Sequence, residues 1–212
     1  MALFDEKITQ QLTELIGDLP QKLTIQYFRQ KECASCDDTQ AFVTEIAAMN
    51  ENISVVISDL DESPEVFQKF DIERTPAIAM LPEDGTDHGI RFFGIPAGYE
   101  INSFVASIRE VGGMDEPLPD DIIKRIKAID KDVHIRVFVT PTCPYCPGPV
   151  ILGHKLALLN KHVKADMVEA TTFPELSQKY GVRGVPKIVI NETEEFVGSQ
   201  PMAKFLEVIE GL

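Results

Sequence analysis

The sequence predicts an α/β protein built as a tandem repeat of two copies of one fold, each a mixed sheet flanked by helices. Three observations predict it. Apolar runs of strand length alternate with stretches of helical spacing through both halves of the 212 residues. A Cys-x-x-Cys pair stands at the same point of each half, Cys33-Ala34-Ser35-Cys36 and Cys143-Pro144-Tyr145-Cys146. The third is register: Cys33 to Pro76 and Cys143 to Pro186 both span 43 positions. A constant offset of 110 also superimposes Phe28 on Phe138, Pro64-Glu65 on Pro174-Glu175, Gln68-Lys69-Phe70 on Gln178-Lys179-Tyr180 and Ile78 on Ile188.

The elements follow in order. Residues 5–15 place Ile8, Leu12 and Leu15 or Ile16 on one helical face, with Gly17 and Pro20 as the stop. Residues 23–28 read as a strand that runs into the first cysteine pair. Residues 37–49 read as a helix with Phe42, Ile46 and Met49 inward. Residues 53–57 are a near-continuous apolar run, the pattern of a strand covered on both faces. Ser63 as N-cap, Pro64 at the first helical position and Glu65 in the first turn begin a short helix that ends near Phe70. A strand over 77–81, the turn Pro82-Glu83-Asp84-Gly85 and a strand over 90–93 form a hairpin, closed by Gly94. Residues 99–109 are the last helix of the first half.

Gly112-Gly113 and Pro117-Leu118-Pro119 then break all periodicity, and divide the chain into 1–114 and 115–212. The order begins again: a helix over 120–129, a strand over 134–139, and the second cysteine pair heading a helix with Val150, Leu152, Leu156 and Leu159. A strand over 163–168, a short helix over 174–180, strands over 187–190 and 195–197 and a helix over 201–209 complete it. Each strand–helix–strand part requires parallel strands and a right-handed crossover, and each hairpin adds antiparallel ones.

Composition narrows the function. Hydrophobic content of 44% and charged content of 25% are ordinary for a soluble globular chain. No stretch approaches the ~20 apolar residues of a membrane span. The start carries acids early and no basic segment before an apolar one, so no secretory signal is predicted and the expected location is cytoplasmic. A net charge of −14 disfavours nucleic acid and anionic membrane as partners. The acidity is uneven: residues 1–114 carry 20 Asp/Glu against 8 Lys/Arg, residues 115–212 carry 14 against 12. In a reducing compartment, two close cysteine pairs point to redox or metal chemistry rather than structural staples.

Strand, cysteine pair, helix is the setting of thiol–disulfide exchange. A cysteine at a helix N-terminus has its thiolate favoured by unsatisfied N–H groups and the helix dipole. A second cysteine three residues on can attack the mixed disulfide formed by the first. These residues, with a distant proline before a hairpin, resemble the thioredoxin/glutaredoxin superfamily. Cys143-Pro144-Tyr145-Cys146 after Thr140-Pro141-Thr142 is similar to the glutaredoxin active site. Two such units, together with Phe93-Gly94-Ile95-Pro96-Ala97-Gly98-Tyr99-Glu100, resemble the glutaredoxin-like protein disulfide oxidoreductases, two-domain cytosolic proteins of archaea and some bacteria.

The resemblance implies redox-active disulfides Cys33–Cys36 and Cys143–Cys146, with Cys33 and Cys143 as nucleophiles and Cys36 and Cys146 as more buried resolving thiols. It implies that the peptide bonds before Pro76 and Pro186 are cis, and that the backbone of Thr75 and Val185 pairs with the substrate chain. Pro144 preorganises the second site, and Tyr145 stands beside it. Expected partners are protein disulfide substrates and a separate thioredoxin-reductase-like electron donor. No cofactor is expected, since no Gly-rich dinucleotide fingerprint is present.

Three departures go with it. Where thioredoxins bury an Asp, six residues before the first cysteine, this chain has Tyr27 and Val137, which leaves Asp59 and Glu169 as candidate proton acceptors. Gly198-Ser199-Gln200 lacks the acids with which glutaredoxins hold glutathione. The direction of exchange is not set by sequence, because potential depends on fine electrostatics at each sulfur.

Two alternatives stand beside this reading. The four cysteines could ligate zinc or an iron–sulfur cluster, although the gap between the pairs far exceeds the 15–20 residues of compact zinc sites. The chain could also be a binding or chaperone module with inert cysteines. His88, His134, His154 and His162 show no ligand or triad spacing and read as surface or packing residues.

Overall fold

The computed structural model describes residues 3–114 and 116–212. Met1, Ala2 and Asp115, the first residue of the predicted second half, lie outside the described residues. The first repeat runs α1 (Glu6–Ile16), β1 (Leu23–Arg29), α2 (Cys36–Ala47), β2 (Ile53–Asp59), α3 (Pro64–Lys69), β3 (Ala77–Pro82), β4 (Ile90–Phe93), a 3-10 turn (Gly98–Glu100) and α4 (Ile101–Val111). The second runs α5 (Asp120–Lys127), β5 (Val133–Val139), α6 (Pro147–Leu159), β6 (Val163–Glu169), α7 (Pro174–Lys179), β7 (Lys187–Ile190), β8 (Glu194–Val197) and α8 (Met202–Glu210).

The strand orders are β2-β1-β3-β4 and β6-β5-β7-β8. β1 runs parallel to β2, from Leu23 opposite Ile53 to Arg29 opposite Asp59, and antiparallel to β3, with Phe28 opposite Ala77. β5 does the same, from Val133 opposite Val163 to Val139 opposite Glu169, with Phe138 opposite Lys187. The spacing of 110 seen in the sequence is thus also the spacing of the hydrogen-bonded pairs. Helices α2 and α6 supply the crossovers that parallel pairing requires.

Packing repeats as well. Phe28 meets Phe70 at 5.4 Å between ring centroids, and Phe138 meets Tyr180 at 5.4 Å. Asn50 donates to the Ile16 carbonyl that ends α1, and Asn160 donates to Ile126 and Ile129 at the end of α5. Each Asn also accepts a backbone N–H two residues on, from Asn52 at 2.7 Å and His162 at 2.8 Å. One side chain so closes a helix end and shapes the turn into the next strand, satisfying carbonyls that the helix leaves open. After α3 and α7 the chain turns through a left-handed residue, Asp71 at φ 56° and Gly181 at φ 58°.

Three sequence expectations are corrected. β2 is not covered on both faces: it stands at the edge of its strand order, with Val56 and Ile57 47% and 45% exposed. A β-branched run reads the same at an edge as in a centre, because strand propensity does not report burial. Ser63 occupies the N-cap position of α3, but its side chain makes no capping bond. On α1 the buried stripe is Leu12 and Ile16, and Ile8 and Leu15 stay exposed. That helix is capped by Asp5, whose carboxylate accepts from the Ile8 N–H at 2.8 Å.

The chain forms two compact units. One takes in the residues up to Asp87, Phe92–Ile95, and the stretch from Val105 to the linker. The other takes in His88–Arg91, Pro96–Phe104 and Glu116–Leu212. Among the described residues no helix is long and apolar enough to cross a membrane.

Candidate active site

β1 and β5 each end in a short turn that carries a cysteine pair, and both pairs are closed as disulfides. The Cα atoms lie 5.4 Å apart for Cys33–Cys36 and 5.5 Å apart for Cys143–Cys146. The turn is held by the N–H of the second cysteine, donated to the carbonyl of the first at 3.5 Å and 3.4 Å respectively. α2 begins at Cys36 and α6 at Pro147. Cys33 and Cys143 therefore stand in a turn ahead of the helix and not on its first residue, which corrects the sequence reading.

The helix ends also differ from that reading. Asp37 and Asp38 sit in the first turn of α2 and compete with a thiolate for its positive end. α6 opens with Pro147, Gly148 and Pro149, so two of its first three residues have no N–H to offer. In each pair the second sulfur is the deeper one. Cys36 is 1% exposed while Cys33 is half-buried, and Cys146 is fully buried while Cys143 is 8% exposed.

Around the pairs, the Thr75–Pro76 and Val185–Pro186 peptide bonds are cis. The Pro76 carbonyl accepts from the Gly94 N–H at 2.9 Å and the Pro186 carbonyl from the Gly198 N–H at 2.8 Å. Pro144 and Tyr145 lie on the open side of the second pair, Tyr145 being 71% exposed. Tyr27 donates its hydroxyl to the Cys36 carbonyl at 2.6 Å. Burial pushes that phenol above its usual pKa, so it stays a donor and does not serve as a base.

The two strand-end acids are committed elsewhere. Asp59 faces Arg29 at 3.6 Å and accepts from the Asp61 N–H. Glu169 accepts from the backbone and hydroxyls of Thr171 and Thr172. Neither carboxylate has a bond to a cysteine.

A third acid was not found from the sequence. Glu100 ends the 3-10 turn and is 1% exposed. Its Oε2 accepts from the Ser103 hydroxyl at 2.5 Å, and its Oε1 has no partner. Burial pushes its carboxyl up to about 7, with the Ser103 hydrogen bond pulling it partly back. The turn that carries it is fastened to the loop before Cys143: the Tyr99 N–H donates to the Pro141 carbonyl at 2.9 Å. Gly98 makes this approach possible, because a Cβ there would lie 2.2 Å from that same carbonyl oxygen. The available signal was an acid at the start of an otherwise apolar helix. Among the described residues, the buried side-chain polar atoms without a partner are Thr75 Oγ1 and Glu100 Oε1. Native structures keep few such atoms, and those they keep ask for a reason.

Comparison with known proteins places this geometry among relatives. The thioredoxin-domain family matches residues 133–210. A solved structure of the alkylhydroperoxide reductase protein AhpF from Enterococcus faecalis is 32% identical, covers 97% of this chain and 99% of that chain, and superimposes with a TM-score of 0.92. A protein disulfide oxidoreductase from Aeropyrum pernix is 29% identical, with 97% of this chain and 92% of that chain covered and a TM-score of 0.90. Among curated proteins, an NADH dehydrogenase of Bacillus subtilis is 27% identical over 165 residues, 76% of this chain and 30% of the relative. The corresponding alkyl hydroperoxide reductase component of Staphylococcus aureus is 30% identical over 138 residues, 65% of this chain and 26% of the relative. The chain spans about a quarter to a third of the length of these curated relatives.

Proposed function

The chain belongs to the thioredoxin-like superfamily, among its tandem-unit disulfide oxidoreductases, and from that premise we propose that its cysteine pairs carry electrons from a separate reductase to protein disulfides. The observation that carries the reading is the graded burial of the second pair beside an acid whose proton affinity is tuned near neutrality. In the reduced pair, the Cys143 thiolate attacks one sulfur of a substrate disulfide. A mixed disulfide forms and one substrate thiolate leaves. The Cys146 thiol then gives its proton to the Glu100 carboxylate. Its sulfur attacks Cys143, closes the Cys143–Cys146 bond and releases the second substrate thiolate. Thr75 and Val185 offer backbone to the substrate chain, and Pro144 and Tyr145 meet it on the open side. Cys33 and Cys36 react in the same order at the first site. Two electrons from the donor restore each dithiol.

A thioredoxin-reductase-like donor fits the relatives, one of which is named an NADH dehydrogenase. This chain needs only its sulfurs for the exchange and works in the cytoplasm. Turnover of insulin disulfides with dithiothreitol tests the reading. Cys143→Ser removes most of the rate, Cys33→Ser a smaller share, and the double variant all of it. A double variant that still turns over insulin disproves it.

A further inference from the structure

We propose that Thr75 sets the reduction potential of the first pair: its hydroxyl lacks an acceptor while Cys33 and Cys36 are joined, and donates to the sulfur anion created when they part. This rests on the reading of Cys33–Cys36 as an exchange site. The starting point is the buried Oγ1 without a partner. Leaving a buried hydroxyl unpaired costs about 1–3 kcal/mol, so a lasting vacancy of this kind belongs to a state that is only half of a cycle.

Position makes the sulfurs the acceptor. Thr75 lies two residues before Ala77, which pairs with Phe28 near the end of β1. β1 ends at Arg29, four residues before Cys33. Thr75 and the cysteine pair thus meet at one end of the sheet. The neighbouring hydroxyls are already used: Tyr27 donates to the Cys36 carbonyl and Thr39 to the Ser35 carbonyl at 2.7 Å. The Pro76 carbonyl is taken by the Gly94 N–H.

The chemistry of the two states differs in the required sense. A disulfide sulfur is neutral and a weak acceptor. A thiolate is a charged acceptor, and hydrogen bonds to charged groups are about twice as strong as neutral ones. The bond therefore forms on reduction, stabilises the dithiol form and raises the potential. The repeat supplies its own control. At the matching place in the second unit stands Val185, a side chain of nearly the same shape with no hydroxyl. The first pair is thereby made the more ready acceptor of electrons as far as this one group decides it.

The test uses the full chain with Cys143 and Cys146 both changed to Ser, so that only the first pair titrates. It is equilibrated with dithiothreitol. In that reaction the Cys33–Cys36 bond breaks and the dithiothreitol ring disulfide forms. Two electrons move to the protein; one thiol proton stays on the pair and the other goes to buffer. Thr75→Val is expected to shift the equilibrium about tenfold toward the protein disulfide, which is about 30 mV for a two-electron couple. It should also raise the thiolate pKa of the pair, read from absorbance at 240 nm, by about one. Thr75→Ser keeps both values near those of the parent. In the opposite background, with Cys33 and Cys36 both changed to Ser, Val185→Thr shifts the second pair in the other direction. If Thr75→Val leaves potential and thiolate pKa unmoved while the pair still exchanges, the tuning role is wrong and the exchange reading survives. A shift that Thr75→Ser does not rescue marks a packing effect and also overturns the proposal. A first pair that never equilibrates with dithiothreitol overturns both.

Discussion

Glu100 joins burial to pH. Its carboxyl is held at about 7 by burial, against the ordinary carboxylate value of about 4.5. The folded state therefore prefers the protonated acid. That preference is fully expressed below pH 4.5 and is lost as pH rises through 7. At pH 8 the buried charge costs roughly 3 kcal/mol relative to an unburied one. Glu100→Gln is expected to be more stable than the parent above pH 7, by that amount, and to differ little near pH 4. Urea unfolding at the two pH values reads this directly. The same variant should lose the inflection near pH 7 in the rate at which Cys146 resolves a mixed disulfide. An unchanged inflection would remove Glu100 from the proton path. The sequence showed the four cysteines and both prolines because their types and spacing are themselves the signal. Glu100 carried no such mark: an acid at a helix start is usually solvated, and only the fold reveals that this one is shut in.

At the scale of elements, the strands, their register and the crossovers were legible, since period and repeat spacing report them. The exposure of Val56 and Ile57 on β2 and the proline-rich opening of α6 were not read correctly. Edge and centre differ by neighbours that lie far away in sequence, and a cysteine pair can precede a helix without being its first turn. The 3-10 turn at Gly98–Glu100 is where this scale bears on the site. Gly98 has φ 62°, and a Cβ there would sit 2.2 Å from the Pro141 oxygen and 2.9 Å from its carbon. Backbone cannot move aside as a flexible side chain does. Gly98→Ala is expected to cost about 3 kcal/mol, from the left-handed φ and the clash together. It should break the Tyr99–Pro141 bond and slow exchange at Cys143–Cys146, with the rate at Cys33–Cys36 unaltered in the same molecule. Thermal unfolding and alkylation of each pair after a reducing pulse distinguish this from a general loss of structure. Equal slowing at both pairs would deny the turn its local role.

For the whole molecule, the composition break after residue 114 and the compact units tell different stories. Breakers mark where periodicity stops, but they carry no information on which strand or turn packs where. His88–Arg91 and Pro96–Phe104 precede the break and yet cluster with Glu116–Leu212. Within that unit the Ala165 N–H donates to the Gly89 carbonyl at 2.9 Å, and His154 Nε2 lies 3.1 Å from the Arg91 carbonyl. Burial holds that imidazole down at about 4, so it is neutral at physiological pH and donates through Nε2. A fragment of residues 116–212 would leave these two groups without their partners, each costing about 1–3 kcal/mol when buried. It would also lack Tyr99 and Glu100. Its urea midpoint should fall well below that of the full chain, and its exchange at Cys143–Cys146 should lose the pH 7 inflection. A fragment of residues 88–212 contains every one of those groups and should recover both properties. If instead the shorter fragment unfolds and exchanges like the full chain, the composition break is the true limit of the working unit, and the proton path through Glu100 falls with the rest.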